Sequence, residues 1–349
     1  MCRILTTKLG KHQLRNYPVG AASDRRAQVV LSLFRDRQGT LWVGLANGLY
    51  QVRVSNPEAA PEQQQISVEN TVDPAKATFW LPDLTVRALA EDRFGTLWVG
   101  TERGLARVDP KTRQIITPTE IASRVGPVAV NTLLIDKFQT LWAGTWEGGI
   151  RRFVVSDRQN VRFLSSINED LVSKKGLKTN SINVLYEGPD PNEDLVWIGT
   201  HNAGAHLYSR SKNSFRQWLT LRDPAQSSAS NLVFSVCTDR HGALWIGSYE
   251  GLVRIDRKTG VTRRFRHQPA DPHSLQNDVV NTILETSDGT LWVGTGGGLH
   301  RFDRACNRFD FVRLGNATAP QDYSKKGGTT DRVFTLYEDT RHKLWVGTA

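Results

Sequence analysis

Six pairs of residues in this chain follow a short apolar run and a Gly-Thr or its variant, and no two pairs are alike. They are Ala46-Asn47, Glu102-Arg103, Trp146-Glu147, His201-Asn202, Tyr249-Glu250 and Gly296-Gly297. Between them they offer aromatic rings, carboxylates, an arginine, an imidazole and amides. That set suits recognition of a sugar or another small polar ligand, which needs a flat apolar platform and a few oriented hydrogen bonds. Trp146 and Tyr249 are the expected platforms. Glu102, Arg103, Glu147, His201, Asn202 and Glu250 are the expected polar partners. The same residues admit a second chemistry. Glu147, His201 and Glu250 could act as general base, acid or charge stabiliser in a metal-assisted elimination. No spacing marks them for that role, so no catalytic residue, metal ligand or cofactor site is assigned.

Each pair closes one copy of a longer unit, written most clearly by Glu91 to Asp109. Asp92 can start a tight turn by accepting a backbone N–H, and Gly95 supplies the positive φ that closes a hairpin. Leu97-Trp98-Val99 has no polar alternation, so both of its faces should be buried. Gly100 leaves room for a neighbouring chain. Gly104 makes a second turn, and Leu105 to Val108 returns as another strand. The Trp of this motif recurs at positions 42, 98, 142, 197, 245, 292 and 345. The copies are about 50 residues apart, at the long end of four-stranded propeller blades.

The pattern predicts an all-β fold: a seven-bladed β-propeller with four antiparallel strands per blade, residues 1–349 forming one domain. The last blade would be closed by N-terminal strands, pairing residues 331–349 with 2–17, which removes exposed sheet edges. Copies differ in their turns. Gln139 stands where Gly95 does, which predicts a different turn there; His342 also stands at that position, where His tolerates a positive φ better than a β-branched residue would, and the fourth copy has a longer loop over 188–194. Connectors at 53–80, 154–179 and 303–329 are long and polar. Asn180, Asn231, Asp278 and Asp331 precede inner strands, either as ligand contacts or as residues bonding nearby backbone. Trp80 and Trp218 lie outside the Trp series and read as packing residues.

The formal net charge of +10 fits a solvated basic surface or attraction to an acidic ligand. The basic residues are spread out, with the densest run from Arg254 to His267, and no nucleic-acid motif accompanies them. Cys2, Cys237 and Cys306 are too few and too far apart for a disulfide framework or a zinc site. The first residues lack the apolar segment of a signal peptide, and no apolar run is long enough to cross a membrane. If the parent protein is exported, this chain is a piece of it.

The segment Asp92 to Asp109, together with Asp239 to Asp256 and Gly289 to Asp303, resembles the two-component regulator propeller repeat. The match extends over nearly the whole chain, and the Asn of Thr179-Asn-Ser-Ile182 and Ser230-Asn-Leu232 fits as well. The resemblance implies a periplasmic sensor propeller of a membrane-bound signalling protein, binding an oligosaccharide or other small ligand. It also implies that any kinase activity lies elsewhere in the parent, and it leaves room for a homodimer formed through that parent. Two alternatives stay open: a propeller lyase similar to the streptogramin lyases, and a protein–protein interaction scaffold.

Overall fold

The computed structural model describes residues 2–6, 12–16, 29–54, 56, 66–70, 85–108, 115–158, 160–170, 176–190, 192–219, 231–314 and 332–348. Trp80, Asp331, the side chain of Trp218 and most of the connectors at 53–80 and 303–329 lie outside the described residues.

Two strands near the N-terminus, β1 (Cys2–Thr6) and β2 (His12–Asn16), come first. The first repeat then gives β3 (Val30–Arg35), β4 (Leu41–Leu45), β5 (Gly48–Val54) and β6 (Ile66–Asn70). The second gives β7 (Val86–Glu91), β8 (Leu97–Thr101), β9 (Gly104–Val108) and the two-residue β10 (Ile115–Ile116). A helix follows, α1 (Thr119–Val125), and then β11 (Val130–Ile135), β12 (Thr140–Thr145), β13 (Ile150–Val155) and β14 (Val161–Ile167). The fourth repeat is β15 (Ile182–Glu187), β16 (Leu195–Thr200), β17 (Ala205–Ser209) and β18 (Ser214–Leu219). The fifth is β19 (Val233–Thr238), β20 (Leu244–Ser248), β21 (Gly251–Ile255) and β22 (Thr262–Phe265). The sixth is β23 (Val280–Glu285), β24 (Leu291–Thr295), β25 (Gly298–Asp303) and β26 (Arg308–Val312), and β27 (Val333–Glu338) and β28 (Leu344–Thr348) come last.

The expected count of seven blades is corrected to six. Six sheets are blades in the sense of the repeat, each built from four consecutive antiparallel strands. The seventh Trp motif supplies only β27 and β28. Its sheet runs β2-β1-β28-β27, a composite of the two ends of the chain rather than a repeat unit. There Cys2 pairs with Val346 and Ile4 with Leu344. The chain also divides into two compact units, one of residues 1–166 with 339–348 and the other of 167–338.

Burial follows from the sequence. Every residue of β8 is buried, as its unbroken apolar text requires. The seven repeat Trp residues are all at most 7% exposed, so they pack rather than bind. In the first unit Trp98 sits in one cluster with Leu105, Val130, Leu141 and Phe153, which belong to two successive blades. Gly100 permits that approach: a Cβ there would lie 2.9 Å from the carbonyl oxygen of Val130 on the next blade.

In five of the turns the Asp does more than start it. Asp92 Oδ1 accepts the N–H groups of Phe94 and Thr96, and Oδ2 accepts the indole N–H of Trp98 at 2.9 Å. The same indole bond joins Trp42 to Asp36, Trp142 to Asp136, Trp245 to Asp239 and Trp345 to Asp339. Gln139 does not change the turn, contrary to expectation. Its φ of 63° matches the left-handed geometry of Gly95, and its N–H donates to Asp136 O at 2.8 Å. The side chain offsets the strain by accepting the N–H of Arg93 at 3.0 Å.

Candidate functional site

The variable pairs occupy turns that one buried hydroxyl holds. Thr101 Oγ1 donates to Gly104 O at 3.0 Å and accepts the N–H of Arg103 at 3.1 Å. Equivalent bonds run from Thr145 to Gly149 O, Thr200 to Gly204 O, Ser248 to Gly251 O and Thr295 to Gly298 O. A second bond fixes the first residue of each pair beside the start of its own inner strand. Glu102 N–H reaches Thr85 O, Trp146 reaches Ala129, His201 reaches Ser181, Tyr249 reaches Leu232 and Gly296 reaches Val279. Five turns therefore hold the first residue of the pair at one position, and those of Thr145 and Thr200 run one residue longer than those of Thr101, Ser248 and Thr295. The first blade has Leu45, fully buried, where the others have the hydroxyl.

In the first unit, Glu102 is bonded to Arg87 of β7 at 2.5 Å, with both side chains partly exposed. A pair this exposed adds little stability, but it fixes the carboxylate. Arg103 is exposed, and among the described residues its guanidinium has no hydrogen bond or ion pair. Trp146 is 38% exposed, the most open of the Trp side chains described. Glu147 is exposed and holds a φ of 63°. The segment from Gly126 to Ala129, joining α1 to β11, separates these two turns. A Cβ on Gly104 would lie 2.9 Å from Gly126 O, and one on Gly148 would lie 3.6 Å from Val128 Cγ2. The structure thus brings Arg103 and Trp146 to the two sides of one segment.

In the second unit, His201 is half-buried, and burial pulls its pKa below the usual 6.5. Its imidazole is neutral at pH 7, able to accept or donate a hydrogen bond. Asn202 is exposed and Tyr249 half-buried. Glu250 lies 3.6 Å from Arg266. Asn231 is buried, and its Oδ1 has no hydrogen-bond partner among the described residues. Its carbonyl accepts the N–H of Gly204, which ties the His201-Asn202 turn to the start of the fifth blade.

Other sequence candidates are structural. Asn180 Oδ1 accepts the N–H of Glu169 and Asp278 Oδ1 that of His267, both at 2.7 Å. Each ties a blade connector to the following inner strand. Gly296 and Gly297 are buried against Asn277 and offer no side chain. Among the described residues no three His, Cys, Asp or Glu groups could share a metal ion. No helix among them is long and apolar enough to cross a membrane.

Sequence reasoning missed two features. One is α1, between Pro118 and Gly126, with Ile121 and Val125 buried. Its signal was the i, i+4 apolar pair followed by a Gly at the C-terminal end. The other is a cavity of about 300 Å³ between α1 and β9, lined in part by Arg103.

Four segments, residues 25–47, 81–103, 227–250 and 274–297, match the profile of the two component regulator propeller. No curated protein matches the chain. Among solved structures it is similar to the extracellular domain of BT4673 from B. thetaiotaomicron, described as a one component system, with 19% identity and a TM-score of 0.67. The similarity covers 96% of this chain and 38% of that one. The extracellular domain of BT3049 from the same organism, described as a hybrid two component system, gives 18% identity and a TM-score of 0.64 over 92% of this chain and 39% of that one. The chain thus spans well under half of each of these domains. Virginiamycin B lyase from Staphylococcus aureus, in a catalytically inactive form with quinupristin, shares 13% identity with a TM-score of 0.56, over 100% of this chain and 99% of that one. At these identities the likeness is one of fold.

Proposed function

We propose that this chain is the ligand-binding sensor propeller of a two-component signalling protein, acting outside the cytoplasmic membrane, and that it is not itself an enzyme. Its ligand is an oligosaccharide or another small, polar, acidic molecule; nucleic acid is not a partner. Contacts come from Glu102, Arg103, Trp146 and Glu147 of the first unit, and from His201, Asn202, Tyr249 and Glu250 of the second. One observation carries the reading. Five turns are closed by a buried hydroxyl bonding a glycine carbonyl, and on four of them the displayed side chains differ in charge, size and polarity. A scaffold that fixes position and varies chemistry suits recognition. Trp146, an exposed ring on such a turn, is the platform against which a sugar face would stack. Net charge of +10 favours an acidic ligand. Homodimerisation, if it occurs, would run through the parent protein.

The test is calorimetric titration with a panel of neutral and uronate-containing oligosaccharides, with the ligand followed by chromatography. Trp146→Ala and Tyr249→Ala should each weaken binding about fivefold to tenfold, the loss of one stacked ring. Unchanged affinity in both variants would refute the site. Consumption of the ligand that disappears in His201→Ala would overturn the non-enzymatic reading in favour of a lyase. That alternative has its support in the neutral His201 and in the full-length likeness to virginiamycin B lyase.

A further inference from the structure

The cavity beside α1 follows from which faces of β9 are covered. Ala106 turns to one face, packed with Trp42, Leu49 and Val99, and Leu105 turns to the other, packed with Ile121 and Val125 of α1. The helix covers the Leu105 face and leaves space beside it.

The helix above cannot settle into that space. Ile121 and Val125 are committed to the core with Trp98, Val130 and Phe153. The far side of α1 is fixed to the third blade. Arg151 Nε donates to Arg124 O at 3.1 Å, Phe163 N–H donates to Glu120 Oε1 at 3.3 Å, and the Arg124 guanidinium lies 4.8 Å from the Phe163 ring. The result is a cavity of about 300 Å³ with walls formed largely by Leu105, Ala106, Ile121, Ala122, Val125 and Pro127. That volume is at the lower end for small-molecule sites.

We propose that this cavity is a second ligand site, which shares Arg103 with the surface proposed above but not the Trp146 or Tyr249 rings, and that it takes a small carboxylate with an apolar aliphatic or aromatic body. Arg103 is the one charged residue of the lining. Its guanidinium has no partner among the described residues, whereas the neighbouring Glu102 is already bonded to Arg87. An unpaired guanidinium at an apolar cavity calls for a carboxylate, held by two N–H donors. The apolar body removes the walls from water. A sugar is the wrong occupant, since no aromatic ring lines the cavity and the walls offer few groups to bond its hydroxyls.

The experiment is isothermal titration of the whole chain with hexanoate and 3-phenylpropanoate. Hexanol serves as the uncharged control and glucuronate as the control without an apolar body. Saturable one-to-one binding of at least one carboxylate below about 10 mM is expected. Arg103→Gln should weaken it about tenfold or more and leave hexanol unaffected. Ala122→Phe fills the cavity from the exposed helix side and should abolish binding. The proposal is overturned if neither carboxylate saturates, if Ala122→Phe binds as the unmodified chain does, or if hexanol binds as tightly as hexanoate and Arg103→Gln changes nothing.

Discussion

Removing the carboxylate of Asp92 tests the bond that joins five of the turns to their packing Trp. Asp92 is fully buried and so is Trp98. Its two oxygens accept three N–H groups: Phe94, Thr96 and the Trp98 indole. In Asp92→Ala none of these donors gains a replacement, and the indole cannot reach water. A buried donor left unsatisfied costs about 1–3 kcal/mol, so the loss should be about 3–5 kcal/mol once the cost of burying the charge is recovered. Asp36 makes the equivalent bond to Trp42 at 2.8 Å, but it is only half-buried and its Trp is 7% exposed. Water can replace part of what Asp36→Ala removes, and about 1–2 kcal/mol is expected there. Asp92→Asn keeps one oxygen for the backbone but sets an amide N–H₂ against the indole N–H, which places it between the two. Both positions lie in the first unit, so urea unfolding of that unit, followed by circular dichroism, compares them directly. Equal losses in Asp92→Ala and Asp36→Ala, or no loss in Asp92→Asn, would refute the argument that the buried indole bond carries the difference.

Two further perturbations follow from the packing. Gly100→Ala sets a Cβ 2.9 Å from Val130 O, a backbone atom that cannot rotate away; a loss of about 2 kcal/mol or more is expected, read as a fall in the thermal midpoint. Burial lowers the pKa of His206 to about 4 and of His300 to about 3, both from 6.5. Folded rings stay neutral while unfolded ones take up a proton below about 6.5, so acid favours unfolding. Stability should be level above pH 6.5 and fall below it, by about 2 kcal/mol per histidine by pH 5. His206→Val should remove its share of that slope, measured as urea midpoints at pH 7.5 and pH 5; an unchanged slope in the variant would show that the ring titrates normally.

The blade text was legible because each step of it is local. An apolar run without alternation has to be buried on both faces, and β8 is. Gly100 had to admit a neighbour, and Val130 is there. What stayed hidden depends on contacts across a hairpin or between blades. The Asp-to-indole bond spans six positions, and only the folded hairpin brings the ring back over its turn. Gln139 was misread because the cost of its left-handed backbone is visible in sequence, while the bond from Arg93 on the preceding blade is not. The seventh motif carries two strands and its sheet takes two more from the other end of the chain, the pairing that an incomplete unit at each end implies. It was counted as a seventh blade, although only six sheets are built from four consecutive strands. Seven residues are too few to show helical periodicity, so α1 was missed, and the cavity with it.

The hydroxyl that closes each turn also explains where chemistry can vary. Because Thr101 bonds only to backbone atoms of its own turn, any residue may stand at 102 and 103 without altering the turn. The hydroxyl likewise bonds backbone at 146 and 147, 201 and 202, and 249 and 250, although the φ of 63° at Glu147 restricts what can stand at that position. The sixth blade marks the limit of this freedom. Its turn keeps the Thr295 bonds, but Asn277 packs against it so closely that a Cβ on Gly296 would fall 2.8 Å from Asn277 Oδ1. Glycine is required there by packing rather than by backbone angle, and that turn contributes no side chain. The four turns with room around them are the ones that carry Glu102-Arg103, Trp146-Glu147, His201-Asn202 and Tyr249-Glu250. The division between turns that display a side chain and the turn that cannot is set by what packs outside the hydroxyl, since a hydroxyl-to-carbonyl bond closes all five.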